Sequence, residues 1–172
     1  MPIASLAADV APATENAKQS GADIKLPAPP AGKGQVVFFR KGGLSGSAVA
    51  CTVHENNKKV SSLGGGRYFI LVTEPGRHEF AVKTEATDKL ALEIEADETQ
   101  FASCVIKMGF MVGRPDIKPA TDADFRSMKS LRLVDADDMG EGALRPEQVS
   151  AGVPASVPAV TPAAAPAAPV TN

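Results

Sequence analysis

Short runs of alternating apolar and polar residues follow one another through the middle of the chain. In Lys89–Glu95, the side chains of Leu90, Leu92 and Ile94 are separated by single small or charged residues. A period of two places such side chains on one face of a β-strand, because successive residues of a strand point to opposite sides. Ser47–Glu55 alternates in the same way. The pattern therefore predicts strands that are half buried in a core.

Turn-forming residues divide the rest of this region into further strands. Gly, Pro and Asn interrupt apolar runs that begin roughly 8–12 residues apart, and no helical period lies between them. This spacing favours an all-β fold, an antiparallel immunoglobulin-like β-sandwich of seven or eight strands. Glu74–Arg77 has the Pro and Gly of a type II turn and predicts a hairpin between its flanking strands. The predicted strands are Gly34–Arg40, Ser47–Glu55, a short strand ending at Leu63, Arg67–Thr73, His78–Thr84, Lys89–Glu95 and the run that begins at Thr99.

The longest strand-like run, Thr99–Pro115, ends in a glycine-containing corner. Gly109 and Gly113 permit a bulge or a close approach of the backbone. Phe110 and Met111 are expected on opposite faces, so that one of them is exposed. Within the run, alternation predicts one common face for Ala102, Cys104, Ile106, Met108 and Phe110.

This corner is the candidate surface for a partner. Arg114 can bind a phosphate or carboxylate group there. The alternative is an ordinary corner of the sandwich in which Arg114 pairs with a local acidic residue. The candidate surface consists of Gly109, Phe110, Met111, Gly113, Arg114 and Pro115.

One short helix is predicted after the strands, over residues 121–134. Thr121 can cap it, and the acidic residues Asp122 and Asp124 suit the positive end of the helix dipole. An apolar stripe is expected to pack the helix on an open edge of the sandwich; it consists of Phe125, Met128 and Leu131. The alternative is a basic face for an anionic lipid or glycan. That face would consist of Arg126, Lys129 and Arg132.

Both ends of the chain are rich in Ala, Pro and small polar residues, which bury too little apolar surface to offset chain entropy. Prolines recur at short intervals after Val153, a pattern typical of extended chain. We therefore expect a signal-peptide remnant at residues 1–7, a linker at 8–33, the sandwich at 34–120, the helix at 121–134, and an acidic loop with a disordered proline-rich tail at 135–172.

The charge and the N-terminus bear on partners and location. The net charge of −2 lacks the strong positive field of a nucleic-acid binder. No apolar run approaches the roughly 18 residues of a membrane span. Ser5-Leu6-Ala7 resembles a signal-peptide cleavage site, which predicts export to the periplasm or cell envelope. A disordered cytosolic N-terminus is the alternative.

Cys51 and Cys104 are the two cysteines, and both fall on faces that alternation assigns to the core. In an oxidising compartment an even number of cysteines favours a disulfide between them. The alternative is two buried free thiols that act as small apolar side chains. A site made by Cys51 and His54 is not expected, because residues three apart on a strand point to opposite faces.

Other motifs of catalysis or metal binding are incomplete. Asp135–Gly140 begins like a calcium loop, but Met139 occupies a ligand position and Pro146 stands where the bidentate Glu belongs. The run Gly64–Gly66 precedes a strand, so it lacks the helix dipole of a phosphate-binding loop. We therefore predict no cofactor, no metal and no enzymatic activity.

Three segments carry a resemblance to a known family. Gly34–Arg40, Glu74–His78 and above all Gly109–Pro115 resemble the Domain of Unknown Function 2846 family, over about Pro29 to Val134. The resemblance implies a small bacterial envelope protein with a sandwich fold. Members are often lipid-anchored through a cysteine, and no cysteine follows the N-terminal apolar stub here. The resemblance carries over no catalytic residue.

These observations predict a non-enzymatic, exported envelope protein that acts as an accessory or protein-binding module. Its partner would be another envelope protein, and the sequence indicates no oligomeric state. One alternative is a small-ligand-binding or enzymatic protein with a pocket between the sheets. Another is a periplasmic hydrolase inhibitor that presents the loop Lys41–Gly46.

Overall fold

The structure, a computed structural model, describes residues 17–43, 48–108, 110, 111 and 113–151. The predicted signal-peptide remnant, residues 8–16 of the predicted linker, residues 44–46 of the Lys41–Gly46 loop, Gly109 and the proline-rich tail from Val153 lie outside the described residues. The elements are β1 (Gly34–Phe39), β2 (Cys51–Glu55), β3 (Lys58–Leu63), β4 (Arg67–Thr73), β5 (Gly76–Lys83), β6 (Thr87–Ile94), β7 (Thr99–Lys107), β8 (Arg114–Ala120), α1 (Asp122–Arg126), β9 (Arg132–Leu133), a 3₁₀ turn (Ala136–Asp138) and α2 (Pro146–Ala151).

The strands form two sheets that face each other. The first sheet has the order β8-β7-β1-β4-β9, and the second has the order β3-β2-β5-β6. This confirms the predicted β-sandwich with a short C-terminal helix. The strand order differs from that of an immunoglobulin constant domain, although the two-sheet architecture is shared.

Two strand pairs are parallel, which corrects the expectation of a wholly antiparallel sandwich. β1 runs parallel to β7, and β4 runs parallel to β9. The chain leaves the first sheet after β1 and again after β4, so strands that are distant in sequence meet side by side. Alternation within a strand reports which face is buried, but it carries no information about the direction of a distant neighbour.

The predicted hairpin at Glu74–Arg77 is wrong. β4 pairs with β1 and β9, whereas β5 pairs with β2 and β6, so this turn carries the chain from one sheet to the other. Gly76 has a φ of +135°, which non-glycine residues rarely adopt. The Asn56–Asn57 turn does close a hairpin, between β2 and β3, and both residues have positive φ.

The core lies between the sheets and is centred on β1, all six residues of which are buried. The ring of Phe38 stacks on Phe69 at 4.8 Å and meets the edge of Phe80 at 5.0 Å, so aromatic side chains of both sheets fill the centre. The predicted disulfide is confirmed, and it joins Cys51 of the second sheet to Cys104 of the first. The bond therefore links the two layers covalently.

The predicted helix is shorter than expected. Thr121 forms a capping box with Asp124, as its position suggested, but α1 ends at Arg126. The backbone of Leu131 pairs with Gln19, and the next two residues form β9. The apolar stripe still packs, since the predicted members Phe125 and Leu131 are fully buried. The segment does not need to be helical to bury these side chains, because pairing with neighbouring backbone satisfies the hydrogen bonds of its N–H and C=O groups.

The folded unit is wider than the predicted boundaries of 34 and 134. Ile24, within the predicted linker, is 4% exposed, and Leu144, within the predicted acidic loop and tail, is 2% exposed. The N–H of Leu144 donates to Ile70 at 2.8 Å, which covers the part of β4 that β9 leaves open. Both flanks therefore complete the core, through buried side chains and through backbone pairing.

Candidate binding surfaces at one end of the sandwich

Several loops meet at one end of the sandwich, which we call the loop end. Because β1 and β7 are parallel, the residues that follow them lie at the same end. β4 and β8 are antiparallel to those strands and begin there. Arg40 is 4% exposed, and its Nη1 donates a hydrogen bond to the carbonyl oxygen of Leu63 at 3.1 Å. This bond stabilises the loop end.

The corner after β7 lies at the loop end and carries the exposed apolar side chains. Met108 is 94% exposed, Phe110 is 97% exposed and Met111 is 80% exposed. The predicted inward face of Met108 and Phe110 is therefore wrong, and so is the expectation that only one of Phe110 and Met111 is exposed. The alternation stops because β7 ends at Lys107.

The chain returns from the corner by a close approach. A Cβ atom on Gly113 would lie 2.6 Å from Cγ2 of Ile106 and 3.4 Å from Cγ2 of Val49. Pro115, opposite Ile106 in the register of β7 and β8, is buried. The corner therefore projects from a packed base, and Gly113 has the close-approach role that the sequence suggested.

The base of the corner carries a small charge network. Asp116 accepts hydrogen bonds from the Nζ of Lys107 at 2.7 Å and pairs with Lys118 at 3.4 Å. The hydrogen bond from Lys107 lowers the pKa of the Asp116 carboxyl, and Lys118 lowers it further. The Asp116 carboxylate is therefore already paired with two cations.

Arg114 stands apart from that network. Among the described residues, no carboxylate lies within ion-pair distance of it, so the predicted alternative of a local acidic partner receives no support. Its side chain borders a hollow of about 160 Å³ together with Met108 and Asp116. Arg114 is exposed and can accept a partner from outside the chain.

A second concave surface at the loop end was missed by sequence reasoning. We call it the basic pocket; its volume is about 700 Å³. The sequence shows the parts of this pocket only as separate features: the glycine run before β4, the loop after β1 and the basic residues after α1. Only the fold brings them together. The described lining residues are Lys18, Lys41, Gly42, Gly43, Gly65, Gly66, Arg67, Ser127, Met128, Lys129, Ser130 and Arg132.

A cluster of Glu55, His78 and Thr73 lies at the opposite end, beside a cleft of about 320 Å³. The Nδ1 of His78 is 2.5 Å from the Glu55 carboxylate, and its Nε2 is 3.4 Å from the Thr73 hydroxyl. The order of groups resembles a catalytic triad. However, Nε2 lies closer to the carbonyl oxygen of Glu74, at 2.9 Å, and must donate its proton there. It then has no lone pair to accept a proton from Thr73.

The metal-ligand candidates are committed to other contacts. Cys51 and Cys104 are joined in the disulfide. Asp135, the first residue of the calcium-like segment, accepts a hydrogen bond from Arg67 at 2.8 Å. Within residues 17–43, 48–108, 110, 111 and 113–151, no three metal-ligating side chains come together. In the same residues, no helix has the length and apolar character to cross a membrane.

Comparison with known proteins bears on the family. No curated protein and no solved structure matches the chain. Residues 30–114 match the family described as "protein of unknown function (DUF2846)", and the match runs from just before β1 to the corner. The resemblance predicted from Gly34–Arg40, Glu74–His78 and Gly109–Pro115 is thereby confirmed, although the match ends earlier than Val134. Over residues 30–114 the chain is therefore similar to the DUF2846 family.

Proposed function

We propose that the chain is a non-enzymatic, exported module of the bacterial envelope that binds another envelope protein through the corner after β7. The observation that carries this proposal is the exposure of Met108, Phe110 and Met111 side by side. Among the described residues, these are the three large apolar side chains that face solvent. A cluster of exposed apolar side chains bordered by charged residues is typical of an interaction surface.

The composition of the corner favours a protein partner. Met, aromatic residues and Arg are enriched at protein interfaces, whereas an anionic membrane favours an excess of basic residues. Here Asp116 and Asp88 line the hollow under the corner, and Asp116 offsets the charge of Lys107. Arg114 is then available to form an ion pair with an acidic residue of the partner.

The proposed location rests on the cysteines. A disulfide between two strands is compatible with an oxidising compartment such as the periplasm. The Cys51–Cys104 bond lies in the core, where both sulfur-bearing residues are almost fully buried. It therefore supports the proposal of export, together with the signal-like Ser5-Leu6-Ala7 segment.

The absence of enzymatic activity is part of the proposal. Its support is the geometry of His78, whose Nε2 donates to a backbone carbonyl rather than accepting from Thr73. A general base must accept a proton from its nucleophile. The predicted alternative of a pocket between the sheets also finds little room, because Phe38, Phe69 and Phe80 fill the centre.

The test is photochemical crosslinking in intact cells. A photoreactive amino acid replaces Phe110, and the matched control carries it in place of Ala91, which is exposed on β6. We expect one dominant protein adduct from position 110 and none of that protein from position 91. The adduct should be lost with Arg114→Glu and kept with Lys89→Glu, which makes the same charge change at another exposed site.

The captured protein should then bind the purified chain directly, with an affinity that Arg114→Glu lowers and Lys89→Glu leaves unchanged. Adducts with lipid instead of protein would overturn the proposal. So would a protein adduct that survives Arg114→Glu in a folded variant, since the corner would then not be the contact.

A further inference from the structure

The basic pocket is assembled from four separate parts of the chain. Lys18 comes from the segment before β1, Lys41 follows β1, Gly65 precedes β4, and Lys129 lies between α1 and β9. Backbone hydrogen bonds fix these parts to one another. The N–H of Arg132 donates to Gly66 at 2.9 Å, and the N–H of Gly66 donates to Arg40 at 3.1 Å. The pocket is therefore a product of the fold.

Positive charge dominates this pocket. Five of its described lining residues are cations, and none is acidic. Arg67 donates to Asp135 at 2.8 Å, so its charge is balanced within the chain. The other four cations have no ion pair with a described residue, and they are Lys18, Lys41, Lys129 and Arg132. Four like charges around one hollow favour an anion between them.

Four glycines line the pocket with backbone atoms alone, and we call them the glycine floor: Gly42, Gly43, Gly65 and Gly66. Gly66 has a φ of +69°, and a Cβ atom on it would lie 3.4 Å from the carbonyl oxygen of Ser130 and 3.6 Å from the Cα of Gly42. Within the described part of the chain, the N–H groups of Gly42, Gly43 and Gly65 have no hydrogen-bond acceptor. Such N–H groups, free of side chains around them, can approach the oxygens of an anion directly.

We propose that the basic pocket binds a phosphate monoester or diphosphate group, held by Lys41, Lys129 and Arg132 and by the N–H groups of the glycine floor. Lys18 adds its charge at the rim, and the hydroxyls of Ser127 and Ser130 are further donors. The inference does not depend on the proposed function, because the corner and the basic pocket share no residue.

The number of donors selects phosphate over carboxylate. A carboxylate has one charge and two oxygens in one plane, whereas a phosphate monoester carries about −1.5 to −2 charges and three acceptor oxygens. Four cations without an ion pair, on several sides of the pocket, match the higher charge and the three oxygens of the phosphate. The volume of about 700 Å³ lies within the roughly 300–1,000 Å³ usual for small-ligand sites, so the phosphate can carry an organic group.

The first arm of the test is a titration with inorganic pyrophosphate, followed by amide nuclear magnetic resonance on the full chain. We expect saturable shifts of the amides of Gly42, Gly43 and Gly65. Lys41→Gln combined with Lys129→Gln should weaken binding about tenfold or more, because charge-assisted hydrogen bonds contribute about that much or more. Both lysines are exposed, so this variant keeps the fold.

The matched control is Lys58→Gln combined with Lys59→Gln. These substitutions remove the same charge from two exposed lysines at the far end of β3, roughly 20 Å from Gly65 at about 3.3 Å per residue. Pyrophosphate should bind this control as it binds the unaltered chain. Equal weakening by both double variants, or shifts that do not saturate, would overturn the proposal, since binding would then be a general charge effect.

The second arm distinguishes a soluble ligand from a lipid headgroup. Vesicles of phosphatidylcholine with and without phosphatidic acid are floated with the chain. Flotation that requires phosphatidic acid and is lost with the Lys41→Gln, Lys129→Gln variant identifies a headgroup as the ligand. Pyrophosphate binding without flotation identifies a soluble phosphorylated ligand. Binding in neither arm would overturn the proposal.

Discussion

The ring of Phe125 lies edge-on to the ring of Phe39, with 5.4 Å between their centroids and 80° between their planes. The contact joins α1 to the central strand of the first sheet. Tyr68 of β4 and Phe101 of β7 also meet the Phe125 ring, at 5.7 Å and 5.9 Å. One side chain from a five-residue helix therefore contacts three neighbouring strands, and it holds the C-terminal part of the chain to the sandwich.

Phe125→Ala should lower the free energy of unfolding by about 3–5 kcal/mol, because it removes a fully buried ring and leaves a cavity. The measurement is urea unfolding of the purified chain. Met128→Ala is the control, since Met128 is only half buried and packs against the rim of the same core. A loss no larger than that of the control would contradict the role of the ring contacts.

Arg126→Gln should release the segment before β1. The Nη1 of Arg126 donates to the carbonyl of Gly21 at 3.1 Å, and it also donates to Ile24. We expect faster hydrogen exchange at the amides of Gln19 and Gly21, with a stability loss of about 1–2 kcal/mol. Lys129→Gln serves as the control. Unchanged exchange in Arg126→Gln would show that backbone pairing alone holds the segment.

Reduction of the disulfide should destabilise the fold substantially. Cys51 and Cys104 are 53 positions apart, and closing a loop of this size contributes about 4 kcal/mol through the unfolded state. A reducing agent should lower the urea midpoint of the unaltered chain and have no effect on Cys51→Ala combined with Cys104→Ala. An equal urea midpoint of the unaltered chain with and without the reductant would contradict this prediction.

The phenol of Tyr68 should lose its proton at a higher pH than an exposed tyrosine. Burial raises the pKa of Tyr68 to about 12, and the chain has no other tyrosine, so tyrosinate absorbance reports this group alone. In denaturant the midpoint should return to about 10. A midpoint near 10 in the folded chain would show that the phenol is not buried.

The same shift sets a pH dependence of stability. Between about pH 10 and pH 12 the unfolded chain has lost the phenol proton and the folded chain has kept it. The unfolded state then binds fewer protons, so the free energy of unfolding falls as the pH rises, by roughly 2–3 kcal/mol across that range. Tyr68→Phe removes this contribution and should flatten the decline in urea unfolding at alkaline pH.

Local pattern predicted the parts of the fold that local physics controls. Alternation placed Leu90, Leu92 and Ile94 in the core, and the same rule assigned Cys51 and Cys104 to buried faces. These features depend on which way a side chain points from its own strand. The cap at Thr121 was predictable for a similar reason, because it needs only residues three positions apart.

Features that depend on distant segments were not predictable from local pattern. The turn at Glu74–Gly76 has hairpin residues, yet the strands on either side belong to different sheets. Residues 121–134 have helical spacing, yet Leu131 pairs with Gln19 from the far end of the chain. The basic pocket likewise combines Lys18, Lys41 and Lys129, whose proximity no spacing rule could indicate.

The position of β1 between β4 and β7 has a consequence for the order of folding. Gln35 aligns with Thr99, 64 positions later, so β1 gains its second neighbour only when most of the domain is available. Pairing across such distances is slow, and all-β domains of this kind fold in roughly milliseconds to seconds. Until then an apolar strand has one open edge that another chain could join. We expect the nascent chain to need protection from self-association until Thr99–Lys107 has docked.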